Sequence, residues 1–235
     1  HHTSGPWDPA APGSHGPLVW CVHTATGIVE PFRAFGASLD SAVAYGLQLP
    51  ELVVAARAMP ATLPEIAALH VAAVRSRQPA GPYHLVGWSL GGVIAHEMAR
   101  QLVAAGEQVA VLMVLDSRTP DDLQGVTDDE LLGADHPLRA VAERHDPQAV
   151  RRFEDRSRTL AAALRSYELG PVPVGKVIYV AAEDNPDIQS WGRAVRHDAG
   201  TAVPEVDVMP AGVTHAQLGD PDVMRRLARR IEEEW

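Results

Sequence analysis

The chain has 235 residues, 46% of them hydrophobic, enough for one large α/β domain or two small ones. A formal net charge of -10 argues against a nucleic-acid binder, and a single cysteine excludes an internal disulfide. No stretch approaches the roughly 20 apolar residues of a membrane span and no signal-like apolar region opens the chain, so a cytoplasmic location without a membrane partner is expected.

Residues 1–17 are rich in Pro, Gly, Ala and His and read as a linker, with His1-His2 as the remnant of a tag. Such a start suits a domain excised from a longer chain, and a single domain is expected over 18–235. The first strand is expected over Leu18–His23, with Cys21 as an inert residue inside it. The loop His23-Thr24-Ala25-Thr26-Gly27 follows at the strand end, where the amide of Thr24 or of Ala25 could serve an oxyanion. Pro31–Leu39 reads as helix and Val43–Leu49 as a second strand closed by Pro50. Thr62-Leu63-Pro64-Glu65 is a capping box ahead of Ile66, Leu69, Val71 and Val74, and the helix should run to about Arg77 before Pro79-Ala80-Gly81-Pro82 breaks it.

Next comes an apolar run, Tyr83 to Val86, then Gly87-Trp88-Ser89-Leu90-Gly91, then a helical stripe of Val93, Ile94, Met98, Leu102 and Val103. This is G-x-S-x-G between strand and helix. Gly87 and Gly91 permit a turn too sharp for side chains, so the hydroxyl of Ser89 stands above the sheet edge. The amide of Leu90 is left at a helix N-terminus, where the dipole favours the negative charge of an oxyanion.

Gly106 stops that helix, and Val109 to Leu115 is the next strand, ending on Asp116. The roughly sixty positions before the following strand exceed one crossover helix, which predicts an inserted helical lid over about 118–172. It holds a capping box at Thr127-Asp128-Asp129-Glu130, a segment Pro137–Arg144, and a longer helix from Gln148 to Tyr167 with Val150, Phe153, Leu160, Leu164 and Tyr167 on one face. Val177–Ala181 and Val206–Met209 are the last strands. The final helix opens with Asp220 as cap and Pro221 at its first turn, turning Val223, Leu227 and Ile231 inward. The alternation of strands and helices predicts a mostly parallel sheet with helices on both faces.

A serine needs a histidine to take its proton and a carboxylate to fix that histidine's tautomer. His1, His2 and His15 lie in the linker; His70, His84 and His96 fall inside elements; His136, His145 and His197 lie in the lid or polar loops; His23 precedes the serine. His215, in the loop after the last strand, sits where this architecture gathers its catalytic groups and completes the order Ser, Asp, His. Two positions compete for the acid. Asp116 ends its strand flush, whereas Asp184, beside Glu183, follows the next strand in an Asp-Asn-Pro turn that has its own explanation. Metal chemistry finds no support, since His96-Glu97-Met98-Ala99-Arg100 lacks the second His of H-E-x-x-H.

Gly87-Trp88-Ser89-Leu90-Gly91-Gly92 resembles the nucleophile motif of the C-terminal thioesterase domains of nonribosomal peptide synthetases. The resemblance extends through His23 to Gly27, Tyr45-Gly46-Leu47-Gln48, Leu115-Asp116-Ser117, a lid of the right length, Trp191-Gly192 and the terminal Gly-x-x-His loop. It implies an α/β-hydrolase fold, a triad of Ser89, Asp116 and His215, and oxyanion amides from Ala25 and Leu90. It also implies a peptidyl thioester carried on the 4'-phosphopantetheine arm of a peptidyl carrier protein domain, with no bound cofactor. Release would proceed by hydrolysis or macrocyclisation. Thr24 stands where the family has Pro, and Thr214 where Asp is common. A free-standing editing thioesterase and a lipase-like esterase acting on diffusible substrates are the alternatives. The arginines at 151, 152, 158 and 165 on the lid and at 225, 226, 229 and 230 on the last helix read either as carrier-docking islands or as solvated faces balanced by nearby acids.

Overall fold

Six short strands pair into one sheet in the computed structural model, which describes residues 16–25, 27, 29–49, 60, 62–123, 125–127, 155, 158–185, 191 and 205–235. The strands are β1 (Leu18–Val22), β2 (Val43–Leu47), β3 (Tyr83–Trp88), β4 (Val109–Leu115), β5 (Lys176–Ala181) and β6 (Glu205–Pro210). Their order is β2-β1-β3-β4-β5-β6, and each neighbouring pair runs parallel. A parallel sheet covered on both faces buries its strands along nearly their whole length, and β3 and β4 show this.

Alternate side chains feed two cores. Trp20, Val22, Leu112 and Val114 point to one side, beneath α2 (Leu63–Arg77) and α3 (Leu90–Ala104). Val19, Cys21, Val111 and Met113 point to the other, where they meet Phe32 and Phe35 at the short α1 (Arg33–Gly36) and the apolar stripe of the last helix. The helices at 158–165, here α4, and Pro221–Glu232, here α5, complete the described set. The expected parallel sheet with helices on both faces is therefore present.

The capping box opens α2 as the sequence predicts: the Glu65 amide donates to Thr62 Oγ1 at 3.4 Å and the Thr62 amide to Glu65 Oε2 at 3.1 Å. Two local expectations need correction. The helix expected over Pro31–Leu39 is a 3-10 turn at Glu30–Phe32 followed by a single α-turn. Its two apolar anchors, Phe32 and Phe35, pack edge to face in one turn, and the Gly36 and Ser38 that follow are weak helix formers. Asp220 occupies the N-cap of α5 without a side-chain cap bond, so Pro221 and its fixed φ carry the start.

Of the predicted lid, Leu160, Leu164 and Tyr167 are buried in the same core as α3. Asp128 to Glu130, the segment 137–144 and the positions of Val150 and Phe153 lie outside the described residues, as do residues 1–15 and Pro50. The described end of this segment is tied to α3 by a polar cluster around the buried Glu97. The Tyr167 hydroxyl donates to Glu97 Oε2 at 2.6 Å, Arg100 donates to the same oxygen at 2.9 Å, and Gln101 donates to Oε1 at 3.0 Å. His96 stacks edge-on against Tyr167 and Trp191 in this cluster. Among the described residues no helix is long and apolar enough to cross a membrane.

Burial, with the nearby Arg100 adding to it, lowers the His96 pKa to about 3. A folded-state pKa below the unfolded value means that the unfolded chain binds the extra proton first. Stability is then full above about 6.5 and falls as the pH drops toward about 3, by up to about 1.4 kcal/mol per pH unit for this one group. His96→Phe keeps an aromatic ring between Tyr167 and Trp191. Urea unfolding of this variant over that pH range should show a shallower loss of stability than the parent; an equal slope would mean that His96 is not the group responsible.

Candidate active site

The site begins with a backbone constraint. β3 ends at Trp88 and α3 begins at Leu90, so Ser89 alone makes the turn, with φ 56° and ψ −127°. Such a conformation costs a non-glycine residue about 1 to 3 kcal/mol and has to be held by its surroundings. The Ser89 amide donates to the Leu115 carbonyl at 2.9 Å, and its own carbonyl accepts from Gly92 at 3.0 Å. A Cβ on Gly87 would lie 2.6 Å from the Gly92 nitrogen, and one on Gly91 would lie 2.7 Å from the Val22 carbonyl oxygen. Both obstacles are main chain, so neither position has room for a side chain.

Asp116 is the other non-glycine residue at positive φ among the described residues, at 42°. Its amide donates to the Val180 carbonyl at 2.8 Å, which turns its buried carboxylate toward the loop after β6. There Oδ2 meets His215 Nδ1 at 2.6 Å. Oδ1 accepts from the Ala182 amide at 3.0 Å and the Asn185 side chain at 2.8 Å. Burial pushes the Asp116 carboxyl up, but its bonds from His215, Ala182 and Asn185, with the charge attraction of His215, outweigh it and hold the pKa below the ordinary carboxylate value. Asp184 does not touch the imidazole. Its Oδ1 accepts from the backbone amide of His215 at 2.8 Å. One turn, 182–185, thus holds the carboxylate through Asn185 and the histidine main chain through Asp184.

Ser89, Asp116 and His215 line one cleft of about 150 Å³, together with Ala25, Leu90, Arg118, Ala161, Leu164, Asp184 and Asn185. Ala25 sits in a tight turn closed by the Gly27 amide donating to the Thr24 carbonyl at 2.9 Å, so it faces the elbow from the end of β1. Leu90 is the first residue of α3, where the helix dipole points its positive end into the cleft. Thr24, at the position where Pro was expected, is buried, and His23 Nδ1 lies 2.7 Å from its carbonyl oxygen. Thr214 helps shape the next turn: its amide and hydroxyl both donate to Gln217 Oε1, each at 3.0 Å. The indole of Trp88 lies 5.6 Å from the His215 ring, centroid to centroid, and presses against Gly219.

Sequence reasoning missed Asn185 and Arg118, and read Trp88 only as part of the elbow motif. Asn185 was hidden by the turn propensity of Asp-Asn-Pro, which accounts for the residue without reference to a site. Arg118 carries no local signal at all. Of the proposed arginine islands, Arg158 pairs with Asp155, Arg225 with Asp222 and Arg230 with Asp207 and Glu234, while Arg165 and Arg226 donate to the Val126 and Ala211 carbonyls. Positions 151 and 152 lie outside the described residues.

A strained serine at the N-terminus of a helix thus lines one cleft with a histidine bonded to a buried carboxylate. Residues 17–233 match the thioesterase domain family, and the chain belongs to it. It is 38% identical over 102 residues to the dimodular nonribosomal peptide synthase of Bacillus subtilis (strain 168), covering 43% of this chain and 4% of that protein. It is 51% identical over 59 residues to the non-reducing polyketide synthase CTB1 of Cercospora nicotianae, covering 25% of this chain and 3% of that one. The NocB thioesterase domain, solved as a covalent complex with a fluorophosphonate nocardicin G analog, shares the fold with a TM-score of 0.72 at 24% identity, over 94% of this chain and 95% of that one. The chain thus spans only a small part of the synthases it matches.

The Asn185 bond has a measurable consequence. In Asn185→Leu the Asp116 carboxylate loses one of the donors that favour its charged form, so it should protonate at higher pH. Titration of carboxyl-labelled protein by NMR should show that resonance moving at a higher pH than in the parent. An unchanged midpoint would mean that Ala182 and His215 alone set the charge.

Proposed function

We propose that the chain is a serine thioesterase that releases a peptidyl chain from the 4'-phosphopantetheine arm of a carrier protein. The observation that carries this reading is the Asp116–His215 bond of 2.6 Å beside the elbow serine, in a chain of the thioesterase family. Ser89 is the nucleophile, His215 the base and Asp116 the acid that holds it. With Nδ1 committed to Asp116, the imidazole keeps Nε2 free to take the Ser89 proton. The serine oxygen then bonds to the thioester carbonyl carbon, and the negative charge on the carbonyl oxygen is met by the amides of Leu90 and Ala25. When the C–S bond breaks, His215 returns its proton to the departing thiolate. An acyl-Ser89 ester remains. Water activated by His215 gives the acid, and an amine or hydroxyl of the acyl chain gives a ring; serine regains the proton in either case.

The likeness to CTB1 supports a second reading, in which the acyl chain is a polyketide. In that case a polyketidyl pantetheine thioester is turned over faster than a peptidyl one of equal length. The domain is proposed to occupy residues 18–235 with a lid near 118–172, the carrier-bound acyl chain lying between the lid and the elbow.

A fluorophosphonate should label Ser89 and no other serine, and Ser89→Ala should abolish both labelling and turnover. Asp116→Asn should fold and lower kcat by up to about 10⁴-fold, because the imidazole is held in the wrong tautomer. Full turnover in either variant would refute the assigned roles. If the substrate is tethered, a carrier-bound or pantetheine-bound acyl group should exceed a simple aryl ester in kcat/KM. Equal values would favour an esterase of diffusible substrates.

A further inference from the structure

Among the described residues that line the cleft, one cation, Arg118, has no partner. Among its lining residues the acids are already committed: Asp116 to His215 and Asn185, and Asp184 to the His215 amide. Arg118 lines the same cleft, is exposed, and makes no hydrogen bond or ion pair. This sets it apart from Arg75, Arg100 and Arg230, each of which pairs with an acid.

Its main chain is held on both sides. The Ser117 carbonyl accepts from the Tyr179 hydroxyl at 3.2 Å and from the Trp191 indole. The Thr119 amide and hydroxyl donate to Asp122 Oδ2 at 2.8 and 2.7 Å, so that carboxylate is engaged by Thr119. Arg118 therefore stands on a pinned stretch of backbone, two residues beyond Asp116, at a fixed place relative to Ser89. The rest of the wall, Ala25, Leu90, Ala161 and Leu164, is apolar.

We propose that Arg118 determines substrate specificity by binding a carboxylate on the acyl chain, close to the thioester carbonyl that Ser89 attacks. A guanidinium presents paired N–H donors that match a carboxylate, and an apolar wall strengthens the attraction by excluding water. The inference rests on the thioesterase reading above and adds the chemical class of acyl group. The phosphate at the far end of the pantetheine arm is the other anion at hand. It is separated from the thioester sulfur by the whole length of the arm, whereas Arg118 and Ser89 share one cavity of about 150 Å³.

The test uses pairs of peptidyl-pantetheine thioesters that differ only in Glu against Gln, placed first at the residue bearing the thioester and then at the one before it. At one of these positions the acid should be preferred by about 10- to 100-fold in kcat/KM, the range of a charge-assisted hydrogen bond. Arg118→Gln should erase the preference by lowering kcat/KM of the Glu substrate to the level of the Gln substrate, and Arg118→Glu should reverse it. No preference at either position, or a preference that survives Arg118→Gln, overturns the proposal. So does a loss in Arg118→Gln that is equal for both substrates and seen only with 4'-phosphopantetheine, since the arginine then serves the arm. Fluorophosphonate labelling of Ser89 and turnover of the Gln thioester check the underlying reading separately. If both are absent in the parent, the thioesterase reading fails; if both are present without a charge preference, only the role of Arg118 does.

Discussion

The N-terminus of α3 approaches the end of β1 until main chain meets main chain, and the architecture of the cleft follows from that approach. Gly91 lies where any Cβ would press on the carbonyls of Val22 and His23, so the helix can come this close only at a glycine. Once it does, Ser89 must make the whole turn at positive φ, and its side chain has no direction left but away from the sheet. The same approach sets the α3 N-terminus beside the loop that carries Ala25. The strain at Ser89 is held locally by the bond to Leu115, so the strand that supports the elbow is also the strand that delivers Asp116.

Asp116 shows how one carboxylate is kept charged while buried. Desolvation alone would push it toward the neutral form. Three donors on its two oxygens reverse that balance, and two of them come from the single turn after β5. The acid and the histidine therefore do not find each other as two independent loops. They are assembled on a common support whose Asp184 fixes the backbone of one partner and whose Asn185 fixes the side chain of the other.

Much of this arrangement is legible in the sequence, and the reasons are physical. The strands are read because a doubly covered parallel sheet demands unbroken apolar runs, and α2 because Thr62 and Glu65 satisfy two orphan amides at a fixed spacing. The elbow is read because only glycine fits at positions 87 and 91. The short α1 is not read, because Phe32 and Phe35 fit a single turn as well as a longer helix. Asn185 and Arg118 escape for a different reason. Their surroundings are set by a residue 69 positions away in one case and by the cleft in the other, and neither leaves a periodic trace nearby. Between Asp116 and Asp184 the residues alone left the choice open, since both follow strands at the same sheet edge. The distances separate them by partner: ring for one, backbone amide for the other.

The turn at 182–185 also bears on how this chain tolerates changes in length. At Gly106, between α3 and β4, no described atom beyond the neighbouring residues lies within 4 Å of where a side chain would project, and none of the cleft residues is bonded to that turn. In the turn after β5 the registers of Asp184 and Asn185 are set against two different partners at once. One residue inserted or deleted there would slide both out of alignment together. Insertions and deletions should therefore be excluded from this turn far more strongly than single substitutions, and loop-grafting between related domains should treat it as part of the sheet.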